Sequence, residues 1–415
     1  MASDPEEQSQ ISGALVAVLA VGTGLSAANL YYAQPLLHTL ARALHTGSGT
    51  AGLVVTFSQI GYALGLAFVV PIGDIVPRRR MVPLVLILTA AALAASAAAG
   101  SIGVLIGLAL LVGLGSVAAQ VLVPFAAVLA GPQQRGRVVG TVMSGLLLGI
   151  LLARTLSGLV AGAGGWRVVY GAGAGLVLVL AAVLARVLPS EGARPQLAYR
   201  ALLRSTVQVF RGDAGLRRRA GFGAIGMAGF SILWTTIAFL LAGPPFRYTD
   251  TVIGLFGLVG AGGALCASWA GRLADRGHTG RMTWGFAACT AVSWIPLWLG
   301  RHHLVWLIVG IVLLDIGVQG TQVTNQSVMY AGGGADRSRA NAAYMVCYFA
   351  GGAAGSAAAA AVYSSGGWSA VTVLGGVVAV LGVLAALADR RWPLGAIRSG
   401  KSLEYANLDH PVALR

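Results

Sequence analysis

The chain has 415 residues, 57% of them apolar and 10% charged, with a formal net charge of +15. An ordinary soluble domain is about one-quarter charged, so there is too little polar side chain here to cover a water-facing surface. A soluble enzyme, a disordered chain and a secreted disulfide scaffold are excluded together, and a polytopic membrane protein remains.

Residues 1–11 are acidic and lack the basic start of a signal peptide, so the first apolar run is expected to stay as a span. Low-charge runs follow at 12–37, 51–73, 81–99, 102–130, 138–163, 167–188, 220–242, 251–271, 282–299, 303–331, 341–363 and 368–388. Each reaches or nearly reaches the roughly 20 residues that cross a hydrocarbon core as a helix. The alternation of a membrane barrel strand is absent, so the expected class is all-α with twelve transmembrane helices. Between the sixth and seventh runs lies an arginine-rich linker, 189–219, and after the last a basic tail, 389–415.

Counting basic residues in alternate loops sets the orientation. One set of loops and termini holds 23 of the 28, and the other holds only Arg42, Arg167, Arg247 and Arg301. Both termini and the linker are therefore expected in the cytoplasm, with the chain in a cell inner membrane. The positive charge is a topology signal, and no nucleic-acid partner is expected.

The two halves align at an offset of 202 residues. Arg135 and Arg137 match Arg337 and Arg339, Gln120 matches Gln322, Gly149 matches Gly351, and Gly165-Trp166 matches Gly367-Trp368. Two six-helix bundles, 12–188 and 220–388, would place a site at the interface between the repeats.

The loop after the second run reads Gly73-Asp74-Ile75-Val76-Pro77-Arg78-Arg79-Arg80, and the loop after the eighth reads Gly271-Arg272-Leu273-Ala274-Asp275-Arg276-Gly277. With twelve spans, this pair resembles the loop signature of the major facilitator superfamily over about residues 12–388. The string Asn29-Leu30-Tyr31-Tyr32-Ala33-Gln34-Pro35 is similar to its bacterial drug:proton antiporter and sugar-efflux branches. Three positions depart from those branches. Pro77 stands where the first loop usually has an acid, Ala109 where the antiporter pattern has an arginine, and Ala153 to Gly158 where it has a Gly-Pro pair. The resemblance implies two pseudo-symmetric bundles that rock about a central cavity. It also implies gate loops built from Gly73, Asp74, Arg78, Arg79, Gly271, Asp275 and Arg276.

Asp315 is the one acid within the expected spans and, apart from Arg167 and Arg186 at the ends of the sixth, Arg154 the one arginine or lysine. Charges at such depth are costly and face a cavity or a partner. The resemblance brings helices 5 and 10 together from opposite halves, so Arg154 and Asp315 are expected to pair in at least one state and to couple protons to transport. A static buried pair is the competing reading.

From Asp315, Gln319, Gln322 and Gln326 follow one helix face, with Asn325 beside them. They read either as a substrate-binding wall or as interhelical polar contacts. Asn29, Tyr31, Tyr32 and Gln34 form a second candidate wall, in which Tyr31 and Tyr32 point apart on a helix and cannot both face one small ligand; interface-belt tyrosines are the alternative. Gln59, Gln120, Trp234, Asn341 and Tyr344 are further cavity candidates. Gly145 and Gly149, with Gly351 and Gly355, make small-residue faces for close packing, or for sliding between halves.

No cofactor and no metal are expected. Cys266, Cys289 and Cys347 lie in apolar runs, His302 and His303 in a short loop, and the glycine string 257–262 lacks a strand–turn–helix context. The expected function is a secondary transporter, not an enzyme. The resemblance implies export of a small organic compound by proton-coupled antiport, with the chain acting as a monomer and substrate, protons and the lipid bilayer as its partners. A proton-coupled importer or facilitator, and a ligand sensor on a transporter fold, are the alternatives.

Overall fold

The structure, a computed structural model, describes residues 11–131, 133–191, 198–260, 279–331 and 336–391. Among the described residues the regular structure is helical throughout, with no strand. A helix satisfies the backbone groups of an apolar stretch in lipid within the stretch itself.

The first expected span is not one helix. Helix α1, Gly13–Ala28, starts at Ser12, whose hydroxyl accepts from the Leu15 N–H at 3.2 Å. After Asn29 the backbone tightens to i−3 bonds, such as Leu30 N to the Ala27 oxygen and Gln34 N to the Tyr31 oxygen. Pro35 supplies no N–H, and a short 3-10 turn, Gln34–Leu36, leads into α2, Leu37–Ala43. Helix α3, Ser48–Leu64, runs on through a π segment, Gly65–Val69, and a 3-10 turn, Val70–Asp74. Then come α4, Arg78–Ala97, and a fourth span in two pieces, α5, Ile102–Gly115, and α6, Ala118–Leu129. Helices α7, Arg135–Gly164, and α8, Trp166–Val187, follow.

The expected linker contains a helix, α9, Tyr199–Gly212, with Leu202 buried and Arg200, Arg204 and Arg211 exposed. Helix α10, Ala214–Ala242, is capped by Asp213, which accepts from the Leu216 N–H at 3.0 Å. It begins earlier than the charge pattern suggested, and so takes Arg219 into the interior at 5% exposure. After α11, Asp250–Val259, come α12, Thr279–Leu299, and α13, Leu304–Ala331. Last is α14, Asp336–Arg391, broken at Gly367.

Nine of the described helices are long and apolar enough to cross a membrane. One of these, Ser338–Ala388, contains the Gly367 break, and Gly13–Ala28 and Asp250–Val259 are shorter apolar helices. The repeat is visible in the backbone. Gly165 (φ 82°) ends α7 and Gly367 (φ 60°) breaks α14, both in the left-handed region that glycine tolerates. Each is followed by a buried tryptophan, Trp166 or Trp368.

Helix α1 packs on α7, as α10 packs on α14. A Cβ on Gly145 or Gly149 would overlap the backbone of Ala20 or Gly24 in α1, and one on Gly351 or Gly355 the backbone of Ala224 or Ala228 in α10. These small-residue faces therefore join neighbours on the same side of the linker, and sliding between halves is not their role. Contacts between the two sides are made by α7 with α11 and by α3 with α14. There Gly158 approaches Gly254, and Gly52 approaches Ala360.

Candidate functional site

Arg154 lies ten residues before the end of α7 and Asp315 eleven after the start of α13. At about 1.5 Å per residue each is roughly 15 Å deep from those ends. Arg154 is 4% exposed and Asp315 3%.

The tightened backbone after α1 presents two side chains to Arg154. Its Nε donates to Gln34 Oε1 at 2.6 Å, and its guanidinium lies 4.7 Å from the Tyr31 ring centroid. Two rings of α10 complete the enclosure, Trp234 at 4.0 Å and Phe230 at 5.3 Å. A desolvated cation over aromatic faces gains about 2 kcal/mol from such contacts, which offsets part of the loss of water.

Asp315 and Arg154 lie within electrostatic reach, and Trp234 is the neighbour they share. Among the described residues they form no ion pair within 4.0 Å. The expected direct pairing is therefore absent from this conformation, because the guanidinium is held by Gln34 and stacked on Trp234. Arg154 Nη2 and Asp315 Oδ1 are buried here without a hydrogen-bond partner, and the indole N–H of Trp234 lies toward the Asp315 carboxylate.

Helix α11 passes both charged residues on a glycine face. A Cβ on Gly257 would sit 2.8 Å from Arg154 Cβ, and one on Gly260 would sit 2.5 Å from Asp315 Oδ2. Glycine at these two positions lets the backbone approach both charges closely.

The other candidates separate into groups. Gln322 Oε1 accepts from the Tyr348 hydroxyl at 3.1 Å, and Gln120 Nε2 donates to the Tyr62 hydroxyl at 3.2 Å. Phe349 bridges these two tyrosines, 4.3 Å from the Tyr62 ring and 5.4 Å from that of Tyr348. Gln59 bonds Ser231 at 3.1 Å, beside a chain in which Ser356 meets Thr56 at 3.0 Å and Thr235 at 2.9 Å.

Asn325 faces elsewhere. Its Nδ2 donates to the Arg219 carbonyl and the Tyr344 hydroxyl, while Arg219 Nη1 donates to Thr283 and Asn325. Gln319 and Gln326 are half-buried on α13. Both side-chain polar atoms of Asn29, and Oδ1 of Asn341, are buried without a partner. Tyr32 is turned away toward Gly173 of α8, and its carbonyl accepts from Ser157. Tyr31, the other tyrosine of the pair, is the one at Arg154.

In the first loop, Asp74 approaches Arg78 at 3.9 Å, but the closer partner is Glu191. Glu191 accepts from the Arg78 backbone N–H at 2.6 Å and from Nη1 at 3.1 Å. Gly73 is buried and Arg79 exposed. Gly271, Asp275 and Arg276 lie outside the described residues.

Sequence reasoning missed Phe230, Tyr62 and Tyr348 because single aromatics in apolar runs carry no pattern. It missed Glu191 because the partner is over 100 positions away. The i, i+7 spacing of Leu202 and Val209 signalled α9 and was masked by its arginines.

Residues 19–333 match the family described as the Major Facilitator Superfamily. Over 375 residues the chain is 46% identical to the uncharacterized transporter YgaY of Escherichia coli O157:H7, covering 90% of this chain and 95% of that one. It is 35% identical over 374 residues to a Streptomyces coelicolor protein named probable transporter SCO4007, covering 88% and 85% respectively. A solved bacterial homologue of the human lysosomal transporter Spinster, inward-facing and unoccupied, shares the fold at a TM-score of 0.74. That likeness covers 91% of this chain and 96% of the other at 14% identity. A helical membrane chain with buried opposite charges on helices from either side of its linker, matched over most of its length by one family, belongs to the major facilitator superfamily of transporters.

Proposed function

We propose that the chain exports a small organic compound across the bacterial inner membrane by alternating access, in exchange for protons. Its two halves, 12–188 and 220–388, would rock about the region of Arg154 and Asp315, with both termini in the cytoplasm and the chain acting as a monomer. The observation that carries this reading is the Asp315 carboxylate, 3% exposed, with one oxygen unpartnered, close to a buried arginine it does not touch.

A group so placed gains and loses a proton at a large change in local electrostatic energy. When Asp315 is charged, it attracts Arg154 and α7 toward α13. When it is neutral, that attraction is gone and Arg154 rests on Gln34 and the rings. The same stretch of α7 meets α11 through Thr155, whose hydroxyl donates to the Gly254 carbonyl at 3.1 Å. A change in the balance at Arg154 is thus felt at a contact that rocking must break.

Asp315 is offset by Arg154, so the site has no spare negative charge. Neutral, amphipathic or weakly anionic compounds suit it better than strongly cationic ones. The test is accumulation of a compound panel in inverted membrane vesicles energised by a pH gradient. Wild type should accumulate its substrates and Asp315→Asn should not. Accumulation by Asp315→Asn with unchanged pH dependence would remove Asp315 from the coupling.

A further inference from the structure

We infer that the substrate is a net-neutral zwitterion with an apolar or aromatic body, its anionic group bound by Arg154 and its cationic group by Asp315. This rests on the transporter reading above and adds the chemical class of what is carried.

The unused hydrogen-bonding capacity is of both kinds. Arg154 Nη2 is a donor without an acceptor, and Asp315 Oδ1 is an acceptor without a donor. Both belong to residues at least nine-tenths buried. Leaving such groups unpaired costs free energy, and the cost is greatest for groups that carry charge, as both of these do.

A lone cation would satisfy Asp315 and add positive charge beside Arg154. A lone anion would do the reverse. A ligand bearing both signs at once satisfies each by a charge-assisted bond and leaves the site neutral. The surroundings specify the remainder of the molecule. Tyr31, Phe230 and Trp234 stack about the guanidinium, Tyr348 is near both Tyr31 and Asp315, and α11 passes as bare glycine backbone at Gly257 and Gly260. Aromatic faces and backbone favour an apolar body and supply no further charge.

Three probes of one shape separate the contributions: phenylalanine, phenylalanine amide, which lacks the carboxylate, and N-acetylphenylalanine, which lacks the ammonium. Binding to the purified full-length protein is read by thermal stabilisation, and exchange by counterflow in proteoliposomes. Phenylalanine should bind at least about tenfold more tightly than either masked form, the loss expected for one charge-assisted bond. In Asp315→Asn the preference over N-acetylphenylalanine should shrink, and in Arg154→Gln the preference over the amide should shrink. Should either variant fail to fold, the wild-type comparison decides alone. Equal binding of all three, tighter binding of a masked form, or binding of none overturns the zwitterion assignment. Selective binding without counterflow of any compound would uphold it and overturn transport. Counterflow of other compounds without this selectivity would do the opposite.

Discussion

Thr39 and Asp250, 211 residues apart in sequence, meet where α2 comes up against the start of α11, with the threonine hydroxyl 2.7 Å from both carboxylate oxygens. This is a bond between opposite sides of the linker. Beside it Thr251 donates to the Gly158 carbonyl at 3.5 Å, and a Cβ on Gly49 would lie 3.3 Å from Ser364 Oγ. The contacts cluster at the end that the arginine count places outside. A charge-assisted bond of this kind contributes about 1.5–3 kcal/mol when sheltered, and less at a half-exposed site. Asp250→Ala is expected to weaken the closure of that end by about 1 kcal/mol. Spin labels at Ser48 and Ser364 should then show a larger population at long separation. An unchanged distance distribution would show that Thr39–Asp250 does not hold the two sides together.

His38 neighbours that contact and gives it a pH dependence. Its pKa is lowered from 6.5, chiefly by desolvation and further by Arg42, with Asp250 opposing. A base whose folded pKa is depressed binds fewer protons in the folded state, so stability rises with pH through this window and falls as pH drops below 6.5. The thermal midpoint of wild type should therefore decline in acid below that value, and His38→Gln should flatten the decline. A His38→Gln profile parallel to wild type would assign the acid sensitivity to other groups.

Gly149 meets the backbone of Gly24, whereas a Cβ on Gly140, nine residues earlier in the same helix, would meet nothing within 4 Å. Overpacking a tight contact costs about 1–3 kcal/mol. Gly149→Ala should lower the thermal midpoint by several degrees, while Gly140→Ala should leave it unchanged or raise it slightly, since alanine favours helix. Equal effects at the two sites would contradict the packing of α1 on α7.

Glu191 closes the Arg78 loop through a backbone and a side-chain bond, with both side chains about 14% exposed or less. Glu191→Ala is expected to cost about 1.5–3 kcal/mol, while Asp74→Ala, whose carboxylate is 55% exposed at 3.9 Å, should cost under about 1 kcal/mol. Unfolding of the purified protein in a denaturant series ranks the two. The reverse ranking would restore Asp74 as the main partner in the loop.

Composition alone determined that this chain lives in a bilayer, because 10% charged residues cannot solvate 415. Periodicity and the 202-residue repeat carried the duplication, and Gly165 and Gly367 show why it was legible: a left-handed turn admits little but glycine, so the requirement is written in the residue itself. The cost of charge in lipid likewise singled out Arg154 and Asp315 before any coordinates. What they touch was decided only by tertiary structure. Gln34 reaches Arg154 because Pro35 tightens the backbone after α1, Trp234 arrives from a helix 80 residues on, and Gly257 and Gly260 let α11 pass both charges. Those are relations between helices whose facing surfaces are mostly apolar or small. In a hydrocarbon solvent such surfaces carry no hydrophobic pattern to say which neighbour each helix will choose.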